Sequence, residues 1–165
     1  LIESFASANI NNSKLVIAGS GSDKNKCINL AKNFNCEIDF IEVILDCVHE
    51  VQAIADVLLL PLKKGIGKTA SPSKLPAYMF SKKPIIACVD SDSDTAMLIN
   101  ESNCGWVLPP ENIEVLSTAM KKINKIEDKV LIKKGLNGFN FAVENLSKKN
   151  NLKKIVNLIA KTSDE

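Results

Sequence analysis

Apolar residues in this chain come in short continuous runs, separated by stretches with helical spacing. The runs are Leu15-Val16-Ile17-Ala18-Gly19, Val57-Leu58-Leu59-Leu60-Pro61, Pro84-Ile85-Ile86-Ala87-Cys88-Val89 and Gly105-Trp106-Val107-Leu108. Each has the length of a strand covered on both faces, as parallel strands are. Ile38 to Val43 alternates and predicts a further strand. Between the strands the pattern predicts helices. Leu1 to Ala8 reads as the end of an amphipathic helix, followed by a turn over Asn9 to Ser13. Asp23 caps a helix to about Asn33. Val48 to Ala55 makes a short helix with Val48, Val51, Ile54 and Ala55 on one side. Ser73 to Phe80 and Thr95 to Ser102 follow, the latter started by Asp94 as cap. Helices over about 112–125, 127–145 and 147–161 close the chain.

Strands alternating with helices predict an α/β class, a Rossmann-like parallel sheet flanked by helices. Residues 1–165 form one domain, with 112–165 as its trailing helices. Nucleotide-binding sheets of this kind begin with a strand at their centre. This sequence opens on a helix end, so the expected sheet lacks its first strand, and the expected chain is a fragment.

Composition changes this picture little. Apolar residues are 45% and charged residues 24% of the chain, ordinary for a globular protein. A net charge of +2 gives no argument for nucleic acid. Every basic residue other than His49 is lysine, so no guanidinium fork is present to grip phosphate or carboxylate. Cys27, Cys36, Cys47, Cys88 and Cys104 form no CxxC pair and read as buried thiols in a reducing compartment. His49 has no Cys or His partner nearby, and no metal site is expected. The expected location is the cytoplasm, with a peripheral contact at the inner membrane face open.

The candidate chemistry is anion binding. Ser71-Pro72-Ser73-Lys74 opens a helix with hydroxyls, free amides and a cation, and such an end attracts phosphate. Gly19-Ser20-Gly21 follows a strand as half a dinucleotide fingerprint, but Lys24 stands where the third glycine belongs. A plain strand–helix turn explains that pair as well, and no acidic residue follows a strand at a convincing distance. Gly65-Ile66-Gly67-Lys68-Thr69 is not a P-loop, because Leu62 stands at the required first glycine. It remains a glycine loop after a strand, with Lys63, Lys64 and Lys68 raising its potential. Asp90, Asp92 and Asp94 lack the remaining ligands of a calcium loop. In the segment Ser147 to Lys161, Leu152, Ile155, Val156 and Ile159 share a face that is expected to pack on the sheet. Its lysines offer an alternative contact with anionic lipid.

The ordered set LVIAGSGSD, AIADVLLLPLKKG, SPSKLPAYMFSKKPIIAC and ESNCGWVLPPENIEVLSTAMKKI resembles the carboxyl-terminal, donor-binding half of a GT-B glycosyltransferase of family 4. The likeness covers about residues 15–123. It implies a retaining enzyme that moves a sugar from a nucleotide sugar, most often UDP-linked, with no metal or other cofactor. Relatives with this helix often build bacterial surface polysaccharide of the O-antigen or capsule type on a polyprenyl-diphosphate-linked acceptor. By the same likeness Gly19 and Gly21 lie near the nucleotide. Val43 and Ile44 border the base, and the amides around Ser73 and Lys74 receive the diphosphate, with Lys68, Thr69 and Ser71 in the adjoining loop. The family's glutamate pair around this helix is replaced by Thr69 and Ala77, neither of which accepts as a carboxylate does, so contacts to sugar and ribose must come from elsewhere, Ser71, Ser73 and the loop of Asp92 and Asp94 being candidates. The catalytic residues and the acceptor site belong to an amino-terminal half, and this polypeptide alone is expected to be inactive. A non-catalytic nucleotide-sugar-binding or regulatory module, and a GT-B-like epimerase, are the competing readings.

Overall fold

The computed structural model describes residues 1–66, 73–148, 150–152, 156 and 159. The chain alternates helix and strand as the hydrophobic pattern requires: α1 (Ile2–Ala8), β1 (Lys14–Ala18), α2 (Lys24–Ala31), β2 (Glu37–Ile41), a single 3-10 turn (Leu45–Cys47), α3 (Val48–Ile54), β3 (Leu58–Pro61), α4 (Lys74–Phe80), β4 (Ile85–Cys88), α5 (Asp94–Ser102), β5 (Gly105–Leu108), α6 (Ile113–Ile123) and α7 (Asp128–Asn145). All strand pairings are parallel, because each crossover is a helix that carries the chain back.

The described strands form two parallel sheets rather than one. β1 pairs with β2, and β3, β4 and β5 pair in that order. β1 and β3 are thus both edge strands, and no described strand joins them. The two sheets still share one apolar cluster, which holds Leu15, Ile17, Ile38 and Phe40 together with Leu59, Ile86 and Cys88.

β4 organises the larger sheet. Successive side chains on a strand point to opposite faces. Ile85, Ala87 and the following Val89 enter a cluster with Leu58, Leu60, Leu75, Met79, Ile99 and Ala142. Ile86 and Cys88 enter the other cluster, with Phe5, Leu116, Met120 and Ile123. Helices α4, α5 and α7 therefore cover one face, and α1 and α6 the other. All four residues of β4 are buried.

Helix α7 approaches the sheet closely through small residues. A side chain on Gly135 would collide with the backbone carbonyl of Lys82, and one on Gly138 would meet the Cys104 side chain at 2.8 Å. Lys82 itself turns the chain after α4 at φ 59°, with its ammonium 4.4 Å from the Phe139 ring centre. Lys134 donates to Asn103 Oδ1 at 2.8 Å and Gly105 O at 3.3 Å, and lies over Trp106. Burial pushes the Lys134 ammonium below its usual pKa.

Several caps differ from expectation. Asp23 makes no side-chain cap bond and pairs instead with Lys26 at 2.9 Å. The α5 cap is Ser93 rather than Asp94, its hydroxyl accepting from Ala96 N at 3.2 Å, while Asp94 lies in the first turn beside the helix dipole. Ile54 does not share the inward side of α3 and is 81% exposed, because it lies a third of a turn from Val48 and Ala55. Leu152, Val156 and Ile159 are exposed, so those positions do not pack on the sheet as the pattern predicted.

Two measurements test this packing. Gly135→Ala must push α7 from the Lys82 carbonyl and should destabilise the chain by about 1–3 kcal/mol, read from urea unfolding. Burial raises the pKa of both Cys88 and Cys104. Maleimide at neutral pH should label the half-buried Cys27, Cys36 and Cys47 well before Cys88 and Cys104, as mass spectrometry would show.

Candidate functional site

In parallel sheets every strand leaves by the same edge, and the loops that follow collect there. At the β1–β2 edge Gly19 and Gly21 follow β1, and Val43 and Ile44 follow β2. Gly19 has φ 133°, which an L side chain rarely adopts, and its N–H donates to Ile41 O at 3.0 Å. That bond ties the exit of β1 to the exit of β2. β2 ends at Ile41, so Val43 and Ile44 lie beyond the strand, and Ile44 is 75% exposed. An exposed apolar side chain at this edge is suited to covering a flat ring.

Glu42 is a residue that the sequence reading missed. It stands directly after β2 and accepts from Lys24 Nζ at 2.6 Å. The Lys24 hydrogen bond and charge hold its carboxyl below the usual glutamate range. The expectation that no acidic residue follows a strand at a useful distance is therefore corrected. The alternation of apolar positions continues through Val43 and so places Glu42 inside the strand, whereas β2 ends at Ile41. A carboxylate at the end of the strand after a glycine turn is the position from which ribose hydroxyls are held in nucleotide folds.

The β3–β4–β5 edge carries the second cluster. A cleft of about 360 Å³ is lined by Lys64, Gly65, Asp90, Ser91, Asp92, Leu108 and Pro109, among others. Leu62 N–H donates to Cys88 O at 2.9 Å and extends the β3–β4 ladder by one step. Gly65, at φ 84°, donates its N–H to Asp90 Oδ2 at 2.8 Å. Lys68, Thr69 and Ser71 lie outside the described residues.

Ser73 and Lys74 begin α4 and are exposed. Ser73 has helical φ and ψ and makes no side-chain cap bond, so the hydroxyl cap expected there is not formed. Pro76 is tolerated because it falls in the first turn, where its missing N–H would have had no helical partner. Ala77 lies three residues after Lys74, on the same exposed side. Leu75 and Met79 point the other way and are fully buried, which fixes the roll of the helix. Asp94 is exposed within α5, and the alternating aspartates divide: Asp90 and Asp92 line the cleft, and Asp94 starts the helix.

Residues 1–125 match the family model described as Glycosyl transferases group 1. Over 75 residues the chain is 29% identical to the probable glycosyltransferase WbjE of Pseudomonas aeruginosa, covering 46% of this chain and 19% of WbjE. The solved structure of WaaG, a glycosyltransferase involved in lipopolysaccharide biosynthesis, superposes with a TM-score of 0.70 at 23% identity, covering 86% of this chain and 37% of WaaG. A variant of TarM from S. aureus, solved with fondaparinux, alpha-GlcNAc-glycerol and UDP, gives 0.74 at 17% identity, covering 95% of this chain and 31% of TarM. Likeness to the two solved structures at these identities is likeness of fold, the α/β fold of GT-B glycosyltransferases. The chain spans less than half the length of each of these proteins. On the match over residues 1–125, the chain belongs to the group 1 glycosyl transferases.

Proposed function

We propose that this chain holds the nucleotide-sugar donor of a retaining glycosyltransferase, with a UDP-linked sugar as the donor. The observation that carries the reading is the carboxyl edge, where the exits of β1 and β2 and the start of α4 offer separate surfaces for the parts of such a ligand. Gly19, Gly21, Val43 and Ile44 border the base. Glu42 accepts from ribose hydroxyls, in place of the glutamate that the family carries near α4. The diphosphate lies at the start of α4, near Lys74 and the amides there, with Lys68, Thr69, Ser71 and Ser73 just before it in the sequence. The TarM structure contains UDP, which supports the choice of nucleotide.

The chemistry asked of these residues is modest. In sugar transfer the bond from the anomeric carbon to the diphosphate oxygen breaks, and charge accumulates on the leaving phosphate. Lysine ammonium groups and backbone amides stabilise that charge without a general acid. Without arginine, each cation acts as a point charge rather than a fork. The acceptor is a glycan or a polyprenyl-diphosphate-linked sugar in surface polysaccharide synthesis, and its site, with the usual catalytic residues, belongs to an amino-terminal half of a longer protein. WaaG, with its role in lipopolysaccharide biosynthesis, supports that setting. The exposed Leu152, Val156 and Ile159, with Lys148 nearby, support a peripheral contact with the inner face of the membrane. A second reading, a nucleotide-sugar-binding module without catalysis, is favoured by one observation: Ala77 stands exposed on α4 where the family carries a glutamate.

Calorimetric titration of UDP into the chain tests the proposal. Saturable binding is expected, and Lys74→Ala should weaken it by about tenfold, the loss of one charge-assisted contact. A folded chain that binds neither UDP nor GDP would overturn the donor reading. Donor hydrolysis or transfer by a longer form of the protein separates the enzyme from the binding module.

A further inference from the structure

We propose that one further strand fills the seam between the two sheets, paired in parallel with β1 on one side and β3 on the other, and that the residues directly before α1 in a longer form of the protein supply it. The inference rests on the topology and not on the donor reading. The hands of the crossovers locate the seam. β1 reaches β2 through α2, and α2 places Cys27, Leu30 and Ala31 against the cluster that holds Ile2, Phe5 and Ala8 of α1. Helices α1 and α2 therefore lie on one face. β3 reaches β4 through α4, and β4 reaches β5 through α5, and both of these helices lie on the other face. Crossovers between parallel strands are right-handed, because a right-twisted strand packs its helix back onto the sheet only that way. With all strands leaving by the same edge, helices on opposite faces require the two sheets to grow in opposite directions. β2 and β5 are then the outer edges, and the free edges of β1 and β3 face each other. The same rule names the occupant. A strand that feeds α1 on this face must lie on the side of β1 away from β2, which is the seam.

The chemistry of the two edges fits such a strand. Successive residues of a strand turn their backbone N–H and C=O groups to opposite edges. Gly19 donates to Ile41 O, so Val16 and Ala18 turn theirs away from β2 and into the seam. Leu58 donates to Pro84 O and Leu62 to Cys88 O, so Val57, Leu59 and Pro61 face the seam from the other side. Pro61 has no N–H to pair, and proline in a strand is confined to such an edge. Ile17 and Leu59 pack against the shared apolar cluster, where leaving the neighbouring backbone groups unpaired is costly. β1 has five residues and β3 four, which sets the length that the added strand can pair. Side chains that it turns toward α1 meet the cluster of Phe5 and Ala8, so alternate positions are apolar. On the opposite face Val16 of β1 is 45% exposed, so the intervening positions can be polar.

Amide exchange followed by NMR tests the seam, in the 165-residue chain and in a form that carries the residues before Leu1. In the 165-residue chain, Val16, Ala18, Val57 and Leu59 should exchange at least about tenfold faster than Ile17, Gly19, Leu58 and Leu60, which face a paired strand. In the longer form the same four amides should slow by about a hundredfold. Single prolines placed through the roughly ten residues before Leu1 should return them to fast exchange at the positions that pair, in variants whose Ile85 and Ile99 amides stay protected. Equal protection of the four amides in the 165-residue chain overturns the proposal, because the seam is then already closed. Fast exchange of the four in the longer form overturns it as well. Protection that no proline before Leu1 removes gives the seam to another segment or a second copy, and overturns the occupant named here. Should the 165-residue chain exchange fast throughout, the longer form and its proline variants decide by themselves.

Discussion

The burial of β4 on both faces is the constraint on which the rest of the structure depends. A strand with no solvent-facing side must be apolar at every position, and must have all its backbone groups paired. Parallel neighbours β3 and β5 supply the pairing, and helices on both faces supply the cover. Those requirements set the contacts of α7, whose Gly135 and Gly138 bring it onto the turn after α4 and the entry of β5. Each of these interior glycines costs the helix about 1 kcal/mol relative to alanine, which close packing offsets.

The same constraint decides where chemistry can occur. A sheet sealed on both faces leaves polar side chains a place only at its edges and ends. Gly19 and Gly21 follow β1, Gly65 follows β3, and Glu42 and Asp90 follow β2 and β4. Two cross-loop contacts order this rim: Lys24 with Glu42 after β2, and Gly65 with Asp90 after β3 and β4. Both join a loop to a residue that a regular element holds in place.

Most of the fold could be read from the sequence, because the signals were local. The continuous run at 84–89 and the runs at 57–61 and 105–108 are strands to within a residue, since nothing but two-sided burial demands unbroken apolarity. The turn at Asn9 to Ser13 is equally local, with Asn9 and Asn12 both at positive φ. Errors arose where the answer depended on another part of the chain. The alternation over Ile38 to Val43 runs two residues past the end of β2, since alternation does not show where the partner strand β1 stops. That error hid Glu42. Asp94 and Ser93 are both good caps in sequence, and the burial of Ser93 beneath the loop selected it.

The sequence by itself determined the class of fold, the order of elements and the edge at which the loops after the strands collect. Hydrophobic periodicity encodes each of these within a window of a few residues. It also carried the family likeness in four ordered motifs. Only the tertiary structure decided that the described strands form two sheets sharing a core, that Glu42 meets Lys24, and that Asp90 reaches Gly65. These contacts join residues far apart in the chain. Their geometry is set by how strands and helices pack, which no local pattern of apolar and polar positions records.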